Sequence, residues 1–133
     1  MNRVAAIDIL VRAQKEPFKR GTQDCFALVA EVVEAVTGRR PPWANMVGCY
    51  RTIPQAFALL AAHGFADLGE GLACHYSEIA PGAALLGDLG VPPGELAREM
   101  ILIFDGQDWV SRSINGGLYR ASPAAVARAF RVA

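Results

Sequence analysis

Nucleophilic, redox or metal chemistry in this 133-residue chain would fall to three cysteines, Cys25, Cys49 and Cys74, and two histidines, His63 and His75. The cysteines lie far apart with no C-x-x-C spacing, and their odd number argues against a disulfide framework, so they read as reduced thiols. A zinc site built from them and the two histidines would need ligands gathered from separate elements, with no local ligand pair to seed it. No metal and no cofactor is expected. Cys25 stands apart because Arg20-Gly21-Thr22-Gln23-Asp24-Cys25 runs straight into an apolar helical segment. A thiol at a helix N-terminus feels the positive end of the peptide dipoles, which favours the thiolate. The same residue also suits a structural role, since unpaired cysteine is among the most buried residue types. What separates the two roles is a base within hydrogen-bond reach of the sulfur. His63, in the last turn of a short helix, reads as a cap residue. Cys74-His75 is the only adjacent Cys and His, but neighbours on an extended segment point to opposite faces, so contiguity alone makes no dyad. His75 is the remaining candidate base.

The elements that would position these groups follow from periodicity and punctuation. Cys25, Leu28, Val29, Val32, Val33 and Val36 fall on one buried face of a helix with Thr22 or Asp24 as N-cap and Gly38 as the left-handed residue past its end. This predicts the central helix of the core, with Glu31 and Glu34 facing away. A first helix with inner face Val4, Ile7, Leu10 and Val11 should end near Gln14, before Pro17. Arg39 to Arg51, stiffened by Pro41-Pro42, reads as a long ordered loop. Thr52 or Ile53 then precedes Pro54, which opens a helix carrying Phe57, Leu59 and Leu60 to Gly64. Phe65 to Leu68 reads as a short extended piece broken by Gly69-Glu70-Gly71.

The C-terminal half reads as strands: Gly87-Asp88-Leu89-Gly90-Val91, then Met100 to Phe104, an Asp105-Gly106 turn and a return over Asp108 to Ser113. Asn115-Gly116-Gly117 and Leu118-Tyr119 follow, and Ser122-Pro123 is expected to open a last helix through Ala124, Val126, Ala127 and Phe130. Helices first and a small antiparallel sheet second predict an α+β fold, organised as a single domain over residues 1–133.

Composition removes several function classes. Thirteen Lys and Arg balance thirteen Asp and Glu, and no basic cluster exceeds Arg39-Arg40, so the electrostatic footprint of a nucleic-acid binder is missing. No apolar run approaches the roughly 20 residues of a membrane span. Asp8 and Arg12 interrupt the first apolar segment, so a signal peptide is not expected and synthesis in the cytoplasm is. The 53% hydrophobic content is high and suggests surface that meets partner chains, with Trp43 and Tyr50 as candidate interface anchors. Trp43 alternatively closes the core under the long loop.

Asp24-Cys25 opening a helix, with Gly87-Asp88-Leu89 entering a strand, resembles the NlpC-type cell-wall peptidases, a compact papain-like group. Their third element, a histidine leading an apolar strand that ends in glycine, is broken. The segment Leu96 to Gly106 matches the strand, but Arg98 or its neighbours stand where the histidine belongs, and no histidine follows His75. Nothing between Val110 and Arg112 suits the orienting residue of the return strand. The chain also resembles, over nearly its whole length, an uncharacterised family of small phage and prophage proteins related to those peptidases and often encoded near tail genes. Pro17-Phe18 and Gly21, Val36-Thr37-Gly38, Tyr50-Arg51, Gly116-Gly117-Leu118 and Ala129-Phe130-Arg131-Val132 carry that resemblance. It implies a papain-like, NlpC-type fold with N-terminal helices on a small sheet. It also implies a component of the virion, at the tail tip or hub, whose partners are other phage tail proteins and whose fold serves docking with a degenerate active site. The competing implication is an active cysteine peptidase or amidase that degrades host peptidoglycan, with Cys25 as nucleophile and His75 as base.

Overall fold

The structure, a computed structural model, describes residues 1–95 and 100–133. Among them are four α-helices, α1 (Ala5–Ala13), α2 (Cys25–Thr37), α3 (Ile53–Ala62) and α4 (Leu68–His75). They accompany six strands, β1 (Ser77–Ile79), β2 (Leu89–Val91), β3 (Leu102–Phe104), β4 (Trp109–Arg112), β5 (Leu118–Ala121) and β6 (Arg128–Arg131). The strands form one antiparallel sheet in the order β1-β6-β2-β3-β4-β5. The architecture is α+β, with α2 in the core against the sheet.

The α2 helix forms where its sequence directs it. The Asp24 side chain caps its start by accepting from the Ala27 N–H at 3.0 Å, and Gly38 ends it at φ 76°. Leu28, Val29, Val32, Val33 and Val36 are buried to 2% exposure or less, so burial of one continuous aliphatic face holds this helix.

The α1 helix forms as expected but is rotated. Leu10 is buried, with Ala6 and Ala13 in place of Val4, Ile7 and Val11, which are 67%, 43% and 60% exposed. The cause lies one turn ahead of the helix. Arg3 donates to the Leu86 carbonyl, the Asp88 carboxylate and the Val132 carbonyl, and positions 6, 10 and 13 continue the face on which Arg3 is fixed. The two alanines also let α1 approach α2 closely.

Two further expectations are corrected and one is refined. The segment around Gly69 and Gly71 is the helix α4, not a broken extended piece. Asp67 accepts from the Glu70 N–H at 2.8 Å while the Glu70 carboxylate accepts from the Ala66 N–H at 2.6 Å, a reciprocal cap that starts a helix despite its glycines. Ser122-Pro123 opens only a single 3₁₀ turn, Pro123–Ala125, and the chain then enters β6. Ala129 and Phe130 are both fully buried there, because β6 pairs with β1 on one side and β2 on the other. Two ladders and two covered faces override the local helical pattern. Finally, the loop after Gly38 contains the 3₁₀ helix Pro42–Met46, whose Trp43, Ala44 and Met46 are buried. The hairpin of β3 and β4 forms as predicted, with Asp105 accepting from the Gln107 and Asp108 N–H groups across its turn.

Candidate functional site

The segment leading into Cys25 is a tight loop. The Lys19 and Gln23 backbones exchange both hydrogen bonds, and Gly21 passes directly under the chain at Tyr50 with φ +96°. A Cβ on Gly21 would lie 2.1 Å from the Tyr50 carbonyl oxygen, so only glycine permits this crossing. The result delivers Asp24 as a buried carboxylate. It accepts from the Gly21 N–H at 2.9 Å, the Ala27 N–H at 3.0 Å and the Tyr50 hydroxyl at 2.5 Å. Burial first, and then the bond to Asp24, raise the Tyr50 phenol well above its ordinary range.

Cys25 therefore begins α2 beside a carboxylate that already occupies the head of the helix. The residue is half-buried, and burial pushes the thiol up to about 11. The Ile101 backbone N–H pulls the other way by donating to the sulfur, and the Asp24 charge pushes further up. The helix N-terminus, which in the sequence argued for a thiolate, is outweighed by desolvation.

Cys25 lines a cavity of about 170 Å³ between α2, α3 and the start of the hairpin. Its wall is mainly apolar, with Phe18, Phe26, Phe57 and Leu60 on the helical side. From the sheet side come Met100, Ser111 and Arg112, and Arg20 also lines it. The Ser111 hydroxyl is committed to the Ile101 carbonyl at 2.9 Å. Arg112 is 5% exposed and donates through Nη2 to Glu16 at 3.2 Å, while its Nε and Nη1 have no hydrogen-bond partner among the described residues.

Neither histidine lines this cavity. His63 is the C-cap residue of α3, as expected, with Nδ1 2.9 Å from the Leu59 carbonyl oxygen. His75 ends α4 and borders a smaller cavity of about 30 Å³ with Trp43 and Leu72. Cys74 and His75 are consecutive on a helix and not on an extended segment, and both are exposed. The three cysteines form no disulfide, and among the described residues no three His, Cys, Asp or Glu side chains are grouped to hold a metal ion. The position of Arg98, where the expected histidine is replaced, lies outside the described residues.

Trp43, read either as an interface anchor or as closing the core under the long loop, does the latter at 9% exposure, and Tyr50, a candidate interface anchor, is turned inward at 7%. The Trp43 indole N–H donates to the Tyr76 hydroxyl at 3.1 Å, and its ring meets Phe26 edge-on with centroids 5.2 Å apart. Each aromatic has its polar tip satisfied within the chain, which is what burial of tryptophan and tyrosine requires. The residues that sequence reasoning missed are Arg20, Ser111 and Arg112. The signal for Arg112 was present, since it follows Val110 by two and so shares the inward face of β4.

The whole fold is similar to a solved crystal structure, the NlpC/p60 domain of the peptidoglycan hydrolase SagA. The TM-score is 0.61 over 98% of this chain and 99% of that one, at 18% identity. At that identity the likeness concerns the fold, which is papain-like and NlpC-type. No curated protein matches the sequence. Residues 2–132 match the sequence profile of a family described as a domain of unknown function (DUF6950).

Proposed function

We propose, from the premise that the chain belongs to the family described as Domain of unknown function (DUF6950), that it is a bacteriophage tail component using a peptidase-like fold for docking. Its place would be the tail tip or hub, with other tail proteins as partners. The observation that carries the non-catalytic half of this reading is the state of Cys25. Its thiol is raised to about 11, and both imidazoles of the chain sit at helix ends outside its cavity. An acyl-transfer enzyme needs the opposite, a thiolate and a base that later returns the proton to the leaving amine. The phage half is supported by the run of sequence motifs from Pro17-Phe18 to Ala129-Phe130-Arg131-Val132. The docking half is supported by apolar side chains left on the outside of α1, where Val4 and Val11 are more than half exposed.

Mass spectrometry of purified particles tests the reading: the protein is expected among the virion proteins and in complexes with tail subunits. Its absence from particles that contain every other tail protein would overturn the assignment.

A second reading, a thiol peptidase or amidase acting on peptidoglycan, is favoured by the position of Cys25 at a helix start in a cavity wall. It is also favoured by a fold similar to that of a domain from a peptidoglycan hydrolase. Incubation with host peptidoglycan separates the two. No release of stem peptides is expected, and release abolished by both Cys25→Ala and His75→Ala would establish the enzyme.

A further inference from the structure

The α1 helix turns its small side chains inward and its branched ones, Val4, Ile7 and Val11, outward. Two charges share that outward stripe. Helical backbone extends past both ends of α1, through Val4 and Gln14, and the Lys15 N–H donates to the Arg12 carbonyl at 3.1 Å. At 3.6 residues per turn, positions 4, 8, 11 and 15 therefore fall within a sector of roughly 60°. Asp8 and Lys15 are both exposed, and neither has a hydrogen bond or ion pair among the described residues. The other charges around the helix are committed, Arg3 to Asp88 and Arg12 to Glu16 and Glu31. Beside the stripe the apolar surface continues into a groove of about 130 Å³ between α1 and the sheet, which Ile7 and Val11 line together with Leu10 and Leu118.

We infer that this face pairs with the same face of a second copy of the chain, the two α1 helices crossing antiparallel about Val11 so that Asp8 of each meets Lys15 of the other. A twofold contact must contain its own complement. Asp8 lies three residues before Val11 and Lys15 four after it, so reversing one helix about Val11 sets opposite signs together at both ends of the contact. A parallel arrangement would set each charge against its like. Val11 and Ile7 are β-branched and lose little side-chain freedom when covered. One helix face with its neighbouring groove is a small interface, so the pairing is weak, with Kd on the order of 100 μM. The inference deepens the docking reading, on which it rests, by naming the occupant of the α1 face.

The test is sedimentation of the purified full-length protein at low ionic strength, from about 10 μM to about 1 mM. The dimer fraction is expected to rise over that range. Val11→Asp should abolish it, because each copy then meets the other with a negative charge at the centre of the contact. Asp8→Lys and Lys15→Asp should each weaken pairing by about tenfold, since both attractions become repulsions. An equimolar mixture of those two variants should regain the wild-type affinity, because in the mixed pair every positive side chain faces a negative one. All three positions are exposed, so the variants keep the fold. A chain that stays monomeric at about 1 mM, a dimer indifferent to Val11→Asp, or no recovery on mixing would each overturn the inference. The two readings fail separately: a monomer found in virions overturns only the pairing, and a dimer absent from virions only the tail assignment.

Discussion

Two buried aspartates sit near opposite ends of α2, and they are satisfied in different ways. Asp24, at the head of the helix, accepts from two backbone N–H groups and a phenol, all neutral. Asp88 lies close to the far end of α2, since its neighbour Gly87 packs against Val36. It is fully buried between Arg3 and Arg131, each 3.0 Å away, and also accepts from the Leu85 and Val132 N–H groups. Neutral donors satisfy Asp24 without cancelling its charge, and that charge acts on the next residue, the Cys25 thiol. Arginines cancel the charge of Asp88, which becomes a tie between the chain before α1, the start of β2 and the end of β6. One aspartate tunes a neighbour and the other joins segments.

The largest expected effect is on the tie. Asp88→Ala removes the anion from between two arginines and strands the buried Val132 N–H and the part-buried Leu85 N–H, and should destabilise the fold by about 3–5 kcal/mol in chemical denaturation. Asp24→Ala is expected to cost less, about 2–3 kcal/mol, because no cation is left behind. The reverse order would break the comparison.

Next comes the behaviour of stability at high pH. The Cys25 thiol is raised from 9.0 to about 11 in the folded chain, so between those values the unfolded state loses a proton that the folded state keeps. Stability is therefore full below about pH 9 and falls as pH rises towards 11, by about 2–3 kcal/mol. The raised phenol of Tyr50 adds a loss of the same sign above its ordinary range. Denaturation of wild type against Cys25→Ala from pH 8 to 11 isolates the thiol's share, and identical pH profiles would show that burial does not hold the proton.

A smaller loss, about 1–2 kcal/mol, is expected for Tyr50→Phe, which leaves the Asp24 carboxylate with its two backbone donors. The most delicate test follows the influence of Asp24 on its neighbour. Cys25 should alkylate far more slowly at neutral pH than the exposed Cys49 and Cys74, with a rate that climbs towards pH 11. In Asp24→Asn that climb should shift to lower pH, because a negative neighbour has been removed. A shift to higher pH would mean that the capping geometry, not the charge, dominates.

Local chemistry was legible in the residues, and pairing between distant segments was not. The bounds of α2, the proline-started α3, the cap role of His63 and the Asp105-Gly106 hairpin were all written in spacing, capping and turn residues. The face of α1 was not, because it is set by an arginine reaching Asp88, 85 positions away. Nor was β6, whose Arg-Ala-Phe-Arg sequence becomes a strand only because β1 and β2 lie on either side of it. At the site, Cys25 was found from its position before a helical run, but the sequence left its reactive and its buried structural reading both open. Dipole arguments can be made from one segment, whereas desolvation depends on Ile101 and the walls that other segments bring. Arg112 was passed over because an inward arginine on a strand looks like a surface residue until its partner Glu16 is placed.

The position of β6 has a bearing on how the chain is made. Arg128–Arg131 fills the gap between β1 and β2, which are separated from it by dozens of residues of earlier sequence. Until those four residues leave the ribosome, β1 has no partner in the sheet and β2 has one side open. The helices and the β3–β4 hairpin can assemble during translation, but the sheet closes only in a final zippering step when the late strand slots in and Asp88 captures the Val132 N–H. A nascent chain stalled before residue 128 should thus remain protease-sensitive across residues 77–91, and release of a few more residues should convert it abruptly to a resistant form.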